Sequence, residues 1–429
     1  MISATPPPGV TSLNPGRPSA ADRQVLATLA AQAELELRQN ILPFWLNHTR
    51  DRARGGFFGV IGNDLKVRKE APRGLLLTAR ILWAFSAAHR TYRDPEYLEM
   101  AKWAYDDLRI RFLDPEHGGV FWTVSAAGKP LERRKQIYAQ AFAIYGLSEY
   151  HRACGDPEAL EQAIAIYRAV EAHAYDSAHG GYFEAYARDW RALPKGTRSL
   201  MATDEPKSQN TMLHIMEAYT NLLRVWPDAG LRHQLTELVE RMATRVRNPD
   251  SNHLHLLLGA DWAPRSHEIS FGHDIEFSWL LAEAAEVLGD PVLIERMKPI
   301  SVAIARVTQA QAFDGDGGMF NEAGPKGLTD ASKHWWPQAE STVGFLNAYQ
   351  LTGEPEFLQT CRRSWEFIAT QMVDREHGEW FWARDPKGRV LERMPKVSTW
   401  KCPYHNGRAC MELVERSQKL LAGPAAKLE

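Results

Sequence analysis

A glycine pair followed by aromatic residues recurs along this chain at a nearly fixed interval. It stands at Gly55-Gly56-Phe57-Phe58, Gly118-Gly119-Val120-Phe121-Trp122, Gly180-Gly181-Tyr182-Phe183 and Gly317-Gly318-Met319-Phe320, and at Gly378-Glu379-Trp380-Phe381 with one glycine replaced. Successive copies are 63, 62, 137 and 61 residues apart; the long interval is two periods, and the stretch His253 to Gly259 lies where the missing copy belongs. A period of this length means one supersecondary unit repeated, and any fold must first satisfy that repeat. Six copies are visible.

A second punctuation alternates with the first. Asp94-Pro95, Gly155-Asp156-Pro157, Gly289-Asp290-Pro291 and Gly353-Glu354-Pro355 each separate two runs with apolar residues at helical spacing, and Trp226-Pro227-Asp228-Ala229-Gly230 does so less regularly. Glycine just past one helix and proline in the first turn of the next mark a tight helix-to-helix connection. The unit reads helix, tight turn, helix, then a long loop with a short β-hairpin. About twelve helices follow, at roughly 21–47, 73–93, 96–112, 136–153, 157–175, 208–225, 229–247, 273–288, 291–312, 335–352, 355–373 and 405–421. Pro43 is expected to kink or end the first. Six pairs without evident capping repeats favour a closed ring over an open solenoid. The expected fold is all-α, an (α/α)6 barrel with short β-hairpins in the long loops at one end. Residues 21–429 form one domain in this reading, preceded by a flexible Pro-rich leader over 1–20 without the apolar run of an export signal.

Composition narrows the partners. A formal charge of -2 leaves no basic footprint for nucleic acid or an anionic membrane surface. No stretch approaches the about 18 consecutive apolar residues of a membrane span. Four cysteines (Cys154, Cys361, Cys402, Cys410) form no CxxC pair and suit a reduced, cytoplasmic protein. Fourteen tryptophans are a heavy aromatic load; a flat apolar face with one polar edge suits sugar rings, and core packing equally. The oligomeric state is left at monomer or homodimer.

In such a ring the long loops share one end, where one helix of each pair begins. The residues at those beginnings are Arg80 and Trp83, Tyr138 and Gln140, Asn210 and His214, then His273 and Glu276. Trp335, Trp336, Gln338 and Glu340 follow, and finally Trp400, Lys401, Tyr404, His405 and Asn406. Inner helices are otherwise expected to be apolar, so polar and aromatic groups at every beginning predict one convergent pocket. The densest stretch is Phe271 to Trp279, where His273 and Glu276 share a helical face with Trp279 a turn further on. Three chemistries fit. Histidines can take a proton from beside a carbonyl and return it near neutral pH, with no redox cofactor. Glu276 and Glu340 offer the paired carboxylates of inverting glycoside hydrolysis, which leaves three histidines without a role. His273-x-x-Glu276 has the spacing of carboxylate-bridged metal bundles, but no second Glu-x-x-His, no H-E-x-x-H and no cysteine grouped with histidine accompanies it. A sugar-binding module would need the tryptophans but not the histidines. His117, His179 and His377, beside the glycine pairs, are expected to shape those loops.

Several segments, in this order, carry a resemblance. They are Ala79-Arg80-Ile81-Leu82-Trp83-Ala84-Phe85-Ser86, Tyr138 with Ala141-Phe142-Ala143-Ile144-Tyr145, and Asn210-Thr211-Met212-Leu213-His214 with Glu217-Ala218-Tyr219. Beyond them come Gly272-His273-Asp274-Ile275-Glu276 with Trp279, Trp335-Trp336-Pro337-Gln338-Ala339-Glu340, and Trp400-Lys401-Cys402-Pro403-Tyr404-His405-Asn406-Gly407-Arg408. From about residue 30 to 415 the chain resembles the N-acylglucosamine 2-epimerase superfamily, most of all its cellobiose 2-epimerase branch. The resemblance implies an (α/α)6 barrel and epimerisation, without cofactor or metal, at C2 of the reducing-end glucose of cellobiose-like disaccharides. It implies that His273 and His405 exchange the C2 proton through a cis-enediolate and that His214 assists ring opening. Arg80 and Asn210 would bind the oxygens at C1 and C2. Tyr138, Glu276 and Trp336 would line the site, Trp400 would lie beneath the non-reducing sugar, and Asp189 and Trp190 would touch the reducing-end unit. Trp279 and Glu340, within the matching segments, complete the expected substrate-binding set. Sister members act on mannose or N-acetylglucosamine, or move the carbonyl as aldose–ketose isomerases. The leader and the loop from Leu193 to Lys207 depart from the family pattern.

Overall fold

The computed structural model describes residues 17–194 and 204–423. The expected leader lies outside the described residues except for its last four positions, as does most of the divergent loop. The chain begins with α1 (Ala20–Glu36), which passes through a π-helical turn at Leu37–Ile41 into α2 (Leu42–His48), forming one rod. Pro43 has no N–H to give to the preceding turn, and the wider π turn just before it lets the helix run on rather than stop. There follow α3 (Leu75–Tyr92) and α4 (Pro95–Asp107), α5 (Ile137–Cys154) and α6 (Pro157–Ala174), α7 (Gln209–Leu223) and α8 (Ala229–Arg241). Then come α9 (Phe271–Leu288) and α10 (Pro291–Gln311), α11 (Trp335–Thr352) and α12 (Pro355–Phe367), and last α13 (His405–Ala422). Further π turns extend α4, α8 and α12, at Leu108–Phe112, Met242–Val246 and Ile368–Met372.

The tight turns have the expected chemistry. Gly155, Gly289 and Gly353 end α5, α9 and α11 in the left-handed region (φ 76, 71 and 72°), which glycine enters without strain. Asp94, Asp156 and Asp290 then cap α4, α6 and α10 through side-chain oxygens, with Pro in the first turn. Each such cap is worth about 1 kcal/mol.

Burial separates two layers. Every residue of α3 from Leu75 to Ala88 is buried, whereas α12 buries Phe357, Leu358, Cys361, Ser364 and Trp365 and exposes Glu356, Arg363 and Glu366. A helix apolar all round belongs inside, and one with a single apolar stripe belongs outside. Accordingly α3, α5, α7, α9, α11 and α13 pack side by side as an inner ring, and α4, α6, α8, α10 and α12 lie outside the inner helix that precedes each. The sixth pair is divided between the chain ends, with α1 packed on α13, which also touches α3. The architecture is the expected (α/α)6 barrel. No helix among the described residues is long and apolar enough to cross a membrane.

The long loops collect where the inner helices begin, and there the structure departs from the simple hairpin expectation. The strand pairs link neighbouring repeats: β1 (Arg73–Gly74) with β2 (Thr123–Val124), β3 (Lys135–Gln136) with β4 (Ala185–Tyr186), and β5 (Lys207–Ser208) with β6 (Leu257–Leu258). The series continues with β7 (Ile269–Ser270) on β8 (Glu322–Gly324), itself paired with β9 (Gly327–Asp330), and β10 (Lys333–His334) with β11 (Ala383–Arg384). A bridge between Ile61 and Val397 joins the first loop to the last. Such pairing satisfies backbone groups that lone two-residue strands would leave open. A buried cation bolts most loops as well. Lys135 Nζ lies 2.8 Å from Asp114 and 2.6 Å from the Gly118 carbonyl, and Lys207 repeats this with Asp176 and Gly180, and Lys396 with Asp374 and Gly378. In the fourth copy Asn252 (φ 64°) takes the glycine's place, and His253, 2.7 Å from Asp274, replaces the bolt.

Candidate active site

At the loop end a cavity of about 210 Å³ opens on the barrel axis. Each inner helix brings a side chain from its first turns: Arg80 from α3, Tyr138 from α5, Asn210 and His214 from α7, His273 and Glu276 from α9, Trp335 and Trp336 from α11, His405 from α13. Trp400, from the loop before α13, stands at the mouth, 38% exposed. His334 and Trp382, which sequence reasoning did not single out, complete the wall from the β10–β11 pair and its approach.

Two of the histidines share one aromatic neighbour. His273 lies 4.7 Å, centroid to centroid, from Trp336, and His405 lies 5.5 Å from the same indole. His214 packs edge-on to Tyr138 at 5.0 Å. Each imidazole has Nδ1 engaged away from the cavity. His214 Nδ1 is 2.9 Å from Glu217 Oε2, His405 Nδ1 is 2.7 Å from Glu340 Oε1, and His273 Nδ1 is 2.7 Å from the Ser270 hydroxyl. No Nε2 of the three has a hydrogen-bond partner among the described residues. Burial pulls all three imidazoles below their ordinary range. The neighbouring His214 adds to this at His273, which falls to about 3, while Arg80 and Arg408 add to it at His405. Burial thus favours the neutral imidazole, the form that accepts a proton.

Beneath them lies an ionic floor built around Arg408. One guanidinium nitrogen donates to Glu276 Oε1 at 2.6 Å and to Glu340 Oε1 at 2.7 Å; the other donates to Glu217 and meets the Tyr404 hydroxyl. Glu340 Oε1 thus accepts from Arg408 as well as facing His405, which places the imidazole proton on Nδ1. Burial opposes ionisation of Glu217, yet Arg408 and His214 hold it down at about 2. Glu276 goes the other way, raised by burial and by the adjacent Glu340. One cation among three carboxylates cannot keep all of them charged.

Arg80 differs from Arg408. Its guanidinium donates to Tyr138 Oη at 2.7 Å and to the Trp400 carbonyl at 3.3 Å, lies over the Phe142 ring at 4.1 Å, and forms no ion pair among the described residues. A buried cation without its own carboxylate, beside a cavity, is placed to meet negative charge that develops on a ligand. Asn210 Oδ1 and Glu276 Oε2 are buried without partners among the described residues.

Two chemistries read from the sequence meet geometric obstacles. Ligand atoms of Glu276, Glu340 and His405 lie within 4.8 Å of one another, a spacing a metal ion could bridge. The Arg408 guanidinium already stands between the two carboxylates, occupying the place of a cation. The same closeness argues against inverting hydrolysis, which needs carboxylates about 6.5–9.5 Å apart on opposite sides of the sugar.

Some expected rim residues serve elsewhere. Glu340 stands behind His405, and Trp279, fully buried, donates to its Oε2 at 3.0 Å from below the floor. Trp190 donates to the His117 carbonyl and stacks on His173, while Asp189 pairs with Arg191; neither lines the cavity. Gln140 and Gln338 grip the backbone of Val120 and Met319. Lys401 and Asn406 bind Glu379, the residue that replaces a glycine in the last copy. Trp83 stacks on Tyr145 and faces a second cavity of about 550 Å³ at the tight-turn end. There Arg90 and Arg152 pair with Glu149, Arg224 with Glu283, and Arg416 with Glu412.

Comparison with known proteins agrees with this anatomy. The family model for N-acylglucosamine 2-epimerase (GlcNAc 2-epimerase) matches residues 56–406. A cellobiose 2-epimerase of Bacteroides fragilis is 43% identical over 387 residues, covering 90% of this chain and 98% of that protein. The solved structure of cellobiose 2-epimerase from Spirochaeta thermophila superposes with a TM-score of 0.88 at 41% identity, over 93% of this chain and 99% of that one. A D-mannose isomerase structure, at 22% identity and a TM-score of 0.78 over 92% and 99% of the two chains, shares the fold. By its motifs, its barrel and these likenesses, the chain belongs to the N-acylglucosamine 2-epimerase family.

Proposed function

We propose that this sugar 2-epimerase acts on the reducing-end glucose of cellobiose-like β-1,4 disaccharides, interconverting it with mannose. The observation that carries the reading is the pair His273 and His405, both packed against Trp336 in one cavity, each with Nδ1 engaged elsewhere and Nε2 without a partner among the described residues. His214 assists opening of the pyranose ring. One of the two outer imidazoles removes the C2 proton through Nε2, and the C–H electron pair passes into a cis-enediolate. The other imidazole, which takes up a proton as the substrate binds, delivers that proton to the opposite face of C2, which inverts that carbon. Arg80 and Asn210 hold the oxygens at C1 and C2 and stabilise the charge that develops there. Tyr138 fixes Arg80, Glu276 and Trp336 shape the wall, and Trp400 at the mouth stacks on the second ring. The scheme needs no redox cofactor and no metal.

Incubation with cellobiose in deuterium oxide tests the reading. The expected product is glucosyl-mannose carrying deuterium at C2. Free glucose would replace the proposal with a hydrolase, a glucosyl-fructose product with an aldose–ketose isomerase, and turnover of mannose alone with a monosaccharide enzyme.

A further inference from the structure

The imidazoles of His214, His273 and His405 are not held alike. His214 and His405 each have Nδ1 against a carboxylate, whereas Nδ1 of His273 meets only the hydroxyl of Ser270, at 2.7 Å. Ser270 is buried at the end of β7 and stands at the N-cap of α9. A serine there ordinarily turns its oxygen back to a first-turn N–H. Ser208, at the same place before α7, does so, accepting from the Thr211 N–H at 3.2 Å. Ser270 makes no capping bond, and its hydroxyl is turned instead to the ring three residues on. Helix α9 therefore forgoes a cap that its own residue could supply, so local helix stability does not account for the hydroxyl's orientation.

We propose that Ser270 is a positioning residue for proton exchange at C2, holding the His273 ring with Nε2 toward the substrate and accommodating the ring in both of its protonation states. The inference rests on the two-imidazole reading above. A carboxylate only accepts, so Glu340 commits the His405 proton to Nδ1, whereas a hydroxyl both accepts and donates. When Nε2 of His273 takes the C2 proton, the ring becomes an imidazolium whose Nδ1–H donates to Ser270 Oγ; when the proton returns, the neutral ring keeps the same partner. The other charged or titratable groups around this cavity are His214, His405, Arg80, Tyr138, His334 and, on the same helix, Glu276. None of them forms a hydrogen bond to the His273 ring.

The test compares Ser270→Ala, Ser270→Thr and Ser208→Ala with the unaltered chain, in both directions of cellobiose epimerisation and across pH. Ser270→Ala should lower kcat about tenfold to hundredfold, as loss of an orienting partner typically does, with little change in KM. Without an acceptor for Nδ1–H the imidazolium is harder to form, so the His273 pKa falls. The acidic limb of the direction in which His273 is the base, and the basic limb of the direction in which it is the acid, should both move to lower pH. Ser270→Thr keeps the hydroxyl and should restore most of kcat and both limbs. Ser208→Ala removes a true cap and should lower the melting temperature without moving the limbs. Wild-type kcat and limbs in Ser270→Ala, or a melting loss like that of Ser208→Ala with unmoved limbs, overturns the inference alone. Failure of the unaltered chain to epimerise cellobiose removes the underlying reading and the inference with it.

Discussion

The two ends of the barrel hold cavities of opposite character. The one at the tight turns is larger, about 550 against 210 Å³, and is ringed by arginine and glutamate. Its charges answer one another: Arg224 lies 2.5 Å from Glu283, Arg152 2.6 Å from Glu149 and Arg416 2.6 Å from Glu412. At the loop end the walls are mostly aromatic, and among the described residues Arg80 has no carboxylate partner and His214, His273 and His405 each present an unengaged nitrogen. Size and charge count favour one end; unmatched polar groups favour the other, the one proposed as the active site. Arg408 belongs to both, bordering the larger cavity while anchoring the carboxylates beneath the smaller.

Mutation can break this contrast. The largest effect is expected at the loop end: His273→Asn or His405→Asn should lower kcat by about 10²–10⁴, the usual worth of a general acid–base group, and abolish deuterium uptake at C2. Substantial uptake in both variants would end the two-base reading. Next, Glu340→Gln keeps shape but removes the negative charge behind His405, with a loss in kcat of about 10–100-fold. Glu283→Gln at the other end should leave kcat alone; equal losses would erase the distinction. Trp400→Ala should cost about tenfold in kcat/KM on cellobiose, since a stacked aromatic contact is worth about 0.5–1.5 kcal/mol beyond its area, and less on mannose. Equal losses on both sugars would shift the preference to a monosaccharide.

Stability sharpens the comparison further. Burial and His214 lower the His273 pKa from 6.5 to about 3, so the unfolded chain takes up this proton first as pH falls. Stability from this group is therefore full above pH about 6.5 and is lost progressively toward pH 3. Thermal melting of His273→Asn should show a shallower decline across that window. The smallest effect is expected for Arg224→Ala, a part-exposed pair worth under about 1 kcal/mol in a urea midpoint, with kcat unchanged.

The barrel was legible because glycine, proline and aspartate punctuate every repeat, and with the π turns counted the helix ends differ from expectation by at most two residues. The strand pairing between repeats was not, because a two-residue strand carries no periodicity and its partner lies some fifty residues away in sequence. The fourth repeat hid behind Asn252, which adopts the left-handed conformation in place of glycine. At the site, position along an inner helix indicated which side chains reach the axis but not the depth at which they act. Trp279 and Glu340 lie one layer too deep, and Gln140 and Gln338 are taken up by loop backbone. The signal for the floor was present in the spacing: His214-x-x-Glu217, His273-x-x-Glu276 and His405-x-x-Arg408 repeat a single offset. Only in the first does that offset give a direct bond, because Arg408 draws Glu276 away and Ser270 takes its place beside His273.

The divided sixth helix pair has a consequence for biosynthesis. Helix α13 both completes the inner ring against α1 and α3 and carries His405, the last imidazole to be made. A chain still emerging from the ribosome holds five of the six inner helices and two of the three imidazoles proposed to handle protons. Closing the ring and supplying His405 to the cavity are thus left to the same, last-made inner helix.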